Sequence, residues 1–254
     1  MKIYIVIPAR YRSSRFPGKP LANILGKPMI QHVYERAIQS EKAHRVIVAT
    51  DDLRIFSTVK KFGGDVVMTS QAHQTGTDRL IEVAEKMPAD IFINVQGDEP
   101  LIRPEDIDCL IDKMIKDPAC QVATLCHPVQ VHEAENPNVV KVVRAANGKA
   151  LYFSRRLIPY SSHNQQPIIY QKHVGVYGYR SDILARFKDL PYSHLEDLEK
   201  LEQLRLIEAG IPIDVLETRR VGQGVDTPED LEIVKQIIQK QGNCPESERA
   251  AISL

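Results

Sequence analysis

The sequence has no surplus of charge of either sign: 33 basic and 33 acidic side chains among 254 residues give a formal net charge of +0. Nucleic-acid binders usually carry a basic excess, so that class is set aside. Cysteine is scarce. The four (Cys109, Cys120, Cys126 and Cys244) form no CxxC pair, which argues against a zinc or thioredoxin-type site and for buried thiols in a reducing compartment. No apolar run reaches the roughly 20 residues of a membrane span. The opening MKIYIVIPAR has too short an apolar stretch for a signal peptide. A cytoplasmic protein without membrane insertion is the expectation. Neither GxGxxG nor GxxxxGK[ST] occurs, so a dinucleotide fingerprint and a Walker A loop are both missing. There is no internal repeat and no low-complexity segment.

What is present is ordinary globular material, 43% apolar and 26% charged. The length is near the upper end of what one hydrophobic core supports, so residues 1–240 are read as a single domain and the polar 241–254 as a C-terminal tail. Short apolar, β-branched runs at 2–7, 45–49, 65–68 and 90–95 alternate with helical spacing at 29–40, 53–62 and 78–86. That rhythm implies βαβ units and a mostly parallel sheet flanked by helices. The second half is less regular: strands at 139–143, 150–153, 168–179 and 212–217 suggest a smaller mixed β region. The leucines at 195, 198, 201 and 204 predict one helix over 195–209, and Thr227 with Pro228 opens a last helix over 227–240.

In such sheets ligands sit beyond the C-terminal ends of the strands. The loops at 8–20, 50–52 and 96–100 all follow strands and should share one edge. The first, IPARYRSSRFPGKPL, holds Arg10, Arg12, Arg15 and Lys19 and no acid. Arginine offers bidentate donors to phosphate and lysine a point charge, and Pro17 and Pro20 stiffen the loop, so a small phosphorylated anion is its natural ligand. A solvated cationic loop is the alternative. NVQGDEP (94–100) brings Asp98 to the same edge, and GVDTPEDLE (224–232) places Asp226 just before a helix. Two carboxylates beside a polyphosphate suit Mg²⁺, although each aspartate alone also fits a turn or cap, the class in which Glu99, Glu229 and Asp230 are left. The DxD triplet Asp106-Ile107-Asp108 follows Pro104 into a helix start.

PARYRSSRFPGKPL, TGTDR (75–79), NVQGDEP, KHVGVYGYR (172–180), LEQLR (201–205) and GVDTPEDLE occur in this order and resemble the 3-deoxy-manno-octulosonate (Kdo) cytidylyltransferases, or CMP-Kdo synthetases. The resemblance spans about residues 2–239. It implies an α/β fold of the nucleotide-diphospho-sugar transferase type and a homodimer, with sugar site and dimer region at about 125–215. The implied reaction is CTP plus Kdo giving CMP-Kdo and pyrophosphate with Mg²⁺, for lipopolysaccharide assembly in Gram-negative bacteria. Carried over by position, Arg10, Arg15 and Lys19 match the triphosphate loop; these and Asp98 are the expected catalytic groups. Ala9, Thr75, Gly76 and Arg79 match the cytosine pocket; Thr75 stands where serine is common in the family but keeps the hydroxyl. Asp98 and Asp226 match metal ligands. Gln96, Arg155, His173, Tyr177, Glu202 and Gln203 match the sugar-acid site. By spacing alone, Glu202 and Gln203 read as solvated helix surface, and His173 and Tyr177 share a strand face. Related sugar acids (8-amino-Kdo, sialate), a glycosyltransferase, and a non-catalytic nucleotide-binding protein are the competing readings. No side-chain general base is expected, since a metal can polarise the attacking hydroxyl.

Overall fold

The computed structural model describes residues 1–12, 16–161, 169–218 and 222–243. Strand β1 (Ile3–Ala9) leads to a 3₁₀ turn (Lys19–Leu21), the small hairpin β2 (Asn23–Ile24) and β3 (Lys27–Pro28), and helix α1 (Met29–Ala37). The alternating half continues with β4 (Arg45–Thr50), α2 (Leu53–Lys61), β5 (Val66–Met68), α3 (Gly76–Lys86), β6 (Ile91–Asn94) and α4 (Pro104–Lys116). The second half contributes β7 (Val122–Val129), α5 (Val131–Ala134), β8 (Lys141–Arg144), β9 (Ala150–Ser154), β10 (Tyr170–Arg180) and α6 (Ser181–Phe187). Helices α7 (His194–Glu199) and α8 (Gln203–Glu208), strand β11 (Ile213–Glu217) and helix α9 (Pro228–Asn243) follow.

One sheet runs in the order β11-β7-β10-β6-β1-β4-β5, with β8 on β10 and β9 on β8. Its central path is mostly parallel: β1 pairs in parallel with both β4 and β6, β4 with β5, and β7 with β11. Strand β10 is the exception, antiparallel to β6 and β7. The chain winds from β1 outward through β4 and β5, then returns to place β6 on the other side of β1. The order therefore reverses between β1 and β6, which opens a crevice beyond their C-terminal ends.

Alternation along β1 explains the two-sided core. Ile3, Ile5 and Ile7 face one layer with Ile30 and Val33 of α1, Ile55 and Val59 of α2, and Leu110 and Met114 of α4. Val6 faces the other with Leu80 and Val83 of α3, Leu184 and Phe187 of α6, and Leu204 of α8. Full burial of each such side chain stabilises the fold by about 1.5–3 kcal/mol. Among the described residues no helix is long and apolar enough to cross a membrane.

Two departures from the sequence expectation matter for the site. The helix expected over 195–209 is two helices, α7 and α8, separated by Lys200 in the left-handed region (φ 53, ψ 48). The cause lies in tertiary contacts of Glu199. Its carboxylate accepts from Ser154 Oγ (2.6 Å) and the Arg155 amide (2.9 Å), and its backbone carbonyl accepts from Arg155 Nε (2.8 Å). The last bond takes the carbonyl that would otherwise accept from the Gln203 amide, and the break turns α8 inward, so that Leu204 is buried while Leu198 is 66% exposed. The second departure is an omission: β7, which pairs with both β10 and β11, and α6 are not singled out by the sequence pattern. The DxD triplet does lie in a helix, α4, as read from the sequence.

Candidate active site

Three chain segments converge at the β1/β6 crevice. Gly18 adopts φ 73, which a side chain would strain, and so starts the turn that presents Lys19. Gly97, leaving β6, passes the carbonyl of Pro8 so closely that a β-carbon there would stand 2.8 Å from it. The third segment is tied to the second: Val225 N donates to Asp98 O at 2.9 Å. Asp230 then gathers the amides of Asp226 (3.0 Å) and Thr227 (2.9 Å), while its own amide donates to Thr227 Oγ1 at 3.3 Å. This reciprocal cap at the start of α9 fixes the turn carrying Asp226.

Lys19 Nζ is the meeting point. It donates to Asp98 Oδ2 at 2.6 Å and to Val225 O at 2.8 Å, and lies 3.5 Å from Asp226 Oδ1. The two aspartates, separated by 128 positions by subtraction of their residue numbers, thus converge on one cation. Lys19 is 12% exposed, whereas Asp98 and Asp226 are 35% and 46% exposed, so the carboxylates retain open faces toward the crevice.

Asp98 and Asp226 border two hollows. One is walled by Pro8, Ala9, Arg10 and Lys19 on the β1 side and by Thr75, Gly76 and Arg79 at the start of α3; Gln96 and Glu202 close its floor. Thr75 caps α3 through a reciprocal pair with Asp78 (3.1 and 3.0 Å), and the positive end of the helix faces this hollow. Arg79 is 3% exposed. It donates to Thr69 Oγ1 (2.8 Å) and Ser70 O (3.2 Å) and pairs with Asp51 Oδ2 at 3.1 Å, which makes it a rigid wall. Arg10 reaches Gln74 O at 3.2 Å and is otherwise exposed. Arg15 lies outside the described residues.

The other hollow is lined by Asn136, Asn138, Lys172, His173 and Gly175, together with Asp98, Glu99 and Asp226. A bulge in β10 between Val174 and Tyr177 brings the rings of His173 and Tyr177 to 5.3 Å. Tyr177 in turn stacks on Tyr179 at 5.6 Å. Burial pushes the His173 imidazole down to about 3, so it is neutral near pH 7. His173 Nε2 and Thr124 Oγ1 stand 3.1 Å apart. Burial also raises the Tyr177 phenol well above its ordinary range.

Glu202 is not solvated surface. It accepts from Thr77 Oγ1 at 2.6 Å, and burial raises its carboxyl above the usual range. Gln203 is 8% exposed. Gln203 Nε2 is buried without a hydrogen-bond partner among the described residues, and neither Gln203 nor Tyr177 lines either hollow. Arg155 stands apart from both hollows. Its guanidinium caps carbonyls of Glu199, Pro137 (3.2 Å) and Lys200 (3.4 Å), and it lines a separate recess with Glu135 and Leu157.

Glu99, left as a turn residue by the sequence reading, lines the second hollow. Gly224 leaves room for it: a β-carbon at 224 would stand 2.9 Å from Glu99 Oε1. Burial, then the neighbouring Asp98 charge, holds its carboxyl up at about 8. Its place beside Asp98 in NVQGDEP was the only signal. Lys172, paired with Glu133 at 2.9 Å, is a further lining residue that spacing does not reveal.

Among the described residues no group of three or more histidine, cysteine or carboxylate side chains could hold a metal alone. Two convergent carboxylates with open faces, short of a full cage, are the donor set Mg²⁺ uses when phosphate oxygens and water complete its octahedron.

A family model described as Cytidylyltransferase matches residues 4–217. The 3-deoxy-manno-octulosonate cytidylyltransferase of Escherichia coli is 54% identical over 240 residues, covering 94% of this chain and 97% of that one. A solved structure of CMP:2-keto-3-deoxy-manno-octonic acid synthetase complexed with CTP superposes with a TM-score of 0.92 at 53% identity, covering 95% of this chain and 100% of the other. A cytidylyltransferase from Leptospira borgpetersenii, 19% identical with a TM-score of 0.65 over 94% and 87% of the two chains, shares the fold. By sequence and by structure, the chain belongs to the 3-deoxy-manno-octulosonate cytidylyltransferase family.

Proposed function

We propose that this protein joins CMP to Kdo, using CTP and releasing pyrophosphate. The observation that carries the reading is the convergence of Lys19, Asp98 and Asp226 at the partition between two hollows. The hollow with the α3 N-terminus suits the nucleotide, because Arg10, Lys19 and the helix dipole all favour phosphate. The hollow on the β10 side suits the sugar acid.

In the reaction the anomeric hydroxyl oxygen of Kdo attacks the α-phosphorus of CTP. The bond from that phosphorus to the bridging oxygen breaks, pyrophosphate leaves in line, and the hydroxyl proton passes to solvent. No carbon–oxygen bond of the sugar breaks, so its anomeric configuration is kept. Asp98 and Asp226 would hold Mg²⁺, which supplies charge neutralisation of the triphosphate and polarisation of the attacking hydroxyl. Lys19 stands against the partition and offsets the repulsion between the two anionic substrates, as do Arg10 and, by the family match, Arg15. His173, neutral and only weakly basic, is unsuited to act as a base near pH 7. By the family match Gln96, Glu202, Tyr177 and Gln203 would offer the sugar hydroxyls donors and acceptors, yet Gln96 and Glu202 line the hollow with the α3 N-terminus and Tyr177 and Gln203 line neither hollow; Arg155 acts on this site only through the Glu199–Lys200 break that it caps.

The setting we propose is a cytoplasmic homodimer supplying the activated sugar for lipopolysaccharide assembly. The test is pyrophosphate release from CTP and Mg²⁺ with a panel of Kdo, 8-amino-Kdo and sialate. Release with Kdo at the highest kcat/KM supports the reading. Preference for either of the other acids transfers it to a sister synthetase, and no release with any acid overturns it.

A further inference from the structure

The turn that delivers Lys19 is braced from outside the crevice. Asp52, the N-cap of α2, accepts from the Arg54 amide at 2.9 Å. It also grips the Arg54 guanidinium with both oxygens, Nε to Oδ1 at 3.0 Å and Nη2 to Oδ2 at 2.6 Å. So held, the guanidinium carbon lies 3.3 Å from the centroid of the Tyr11 ring. The same ring rests against Gly18: a β-carbon there would stand 3.1 Å from Tyr11 Cζ and from its hydroxyl oxygen. The Gly18 amide donates to Tyr11 O at 2.9 Å. None of Tyr11, Asp52 and Arg54 lines the nucleotide hollow.

The two sides of the turn are secured differently. Downstream, backbone bonds suffice: Leu21 N to Gly18 O at 2.9 Å, Ala22 N to Lys19 O at 3.0 Å, and Met29 N to Ala22 O at 2.8 Å. Upstream, one longer backbone bond, Lys19 N to Phe16 O at 3.3 Å, spans Gly18, which is left-handed and without a side chain, the residue type with the widest conformational range. The Tyr11 ring and carbonyl narrow that range further. We infer that Tyr11, stacked on Arg54, is a positioning residue for Lys19: it fixes the Gly18 joint and thereby the point at which the ammonium meets Asp98 and Asp226. The inference rests on the cytidylyl-transfer reading for its kinetic consequence and on geometry alone for its effect on CTP binding.

The test uses the full chain and three variants, Tyr11→Leu, Tyr11→Phe and Arg54→Leu. Steady-state constants for both substrates, CTP affinity by calorimetry without sugar, and Tm are read on each. Tyr11→Leu should lower kcat/KM for CTP and weaken CTP binding by about tenfold, short of the hundredfold that a full ångström of misplacement can cost, with KM for the sugar acid unchanged. Tyr11→Phe keeps the ring and should restore both values. Arg54→Leu removes the stacking cation and should cost about threefold in the same two quantities. Arg54 is 59% exposed, so this variant tests the brace where Tyr11→Leu fails to fold. The inference is overturned by a Tyr11→Leu or Arg54→Leu protein with unchanged CTP affinity, by a Tyr11→Phe protein as impaired as Tyr11→Leu, or by a loss that falls equally on the sugar KM. A wild-type protein that binds CTP but turns over no sugar acid would sink the functional reading and leave the calorimetric comparison to decide this one.

Discussion

The α3 side and the β10 side of the crevice are built on opposite plans. On the α3 side most polar groups already have partners: Arg79 has Thr69, Ser70 and Asp51, Thr75 has Asp78, and Lys19 has Asp98 and Val225. On the β10 side burial acts instead: it holds the Glu99 carboxyl up at about 8 and the His173 imidazole down at about 3. The first plan is a rigid mould whose shape does not depend on ligand. The second holds titratable groups in their neutral forms, because burial disfavours the charged form. The difference teaches that stability and recognition are aligned on one side of the crevice and opposed on the other.

The largest effect that could break this comparison lies at the partition, which belongs to both walls. Asp98→Asn or Asp226→Asn should lower kcat by roughly two to three orders of magnitude. Circular dichroism should stay that of a folded protein, with Tm lowered in Asp98→Asn by the weakened ion pair to the largely buried Lys19. Unchanged Mg²⁺-dependent turnover in Asp98→Asn would remove the partition from the chemistry.

The next effect is a pH dependence on the β10 side. His173 titrates near 3 when folded and near 6.5 in an unfolded chain. Between those values the unfolded chain binds the extra proton, so the contribution of His173 is intact above pH 6.5 and is lost as the pH falls toward 3. At pH 5 the loss is about 2 kcal/mol. Chemical denaturation at pH 7.5 and pH 5 should show His173→Gln losing less stability than wild type over that interval. Equal losses in the two proteins would mean that His173 is charged in the fold.

The smallest effect is the sharpest for the comparison. Gln203→Leu removes an unpaired buried amide and should stabilise the ligand-free protein by about 1 kcal/mol, read as a rise in Tm. KM for the sugar acid should rise while CTP affinity holds. A destabilised variant would show that the amide already has its partner.

Residues near in sequence were read correctly where a local rule governs them. The apolar runs of β1, β4 and β6, the cap at Thr227, and the placing of Asp106–Asp108 in a helix rest on periodicity and turn chemistry within a few positions. So does the edge shared by the loops after β1 and β6. Strand β7 escaped because its interrupted pattern, with His127 and Pro128 at its end, becomes a strand through pairing with β10 and β11, far along the chain. The break at Lys200 escaped for the same reason: the leucine spacing continues through it, and Ser154 and Arg155 impose it from 45 residues away. Glu202 and Gln203 looked like helix surface because nothing beside them in sequence announces Thr77 or the packing of α8.

The amino-acid sequence by itself determined the alternating fold of the first half, the cationic loop, the carboxylates at strand ends and the family. Those features depend on local periodicity and on motifs long enough to be specific. Only the tertiary structure decided that Asp98 and Asp226 meet on Lys19, that Glu202 and Gln203 turn inward, and that Arg155 binds carbonyls outside both hollows. Those outcomes are contacts between distant segments, and they are set by which backbone and charged groups find partners once the sheet has closed over its core.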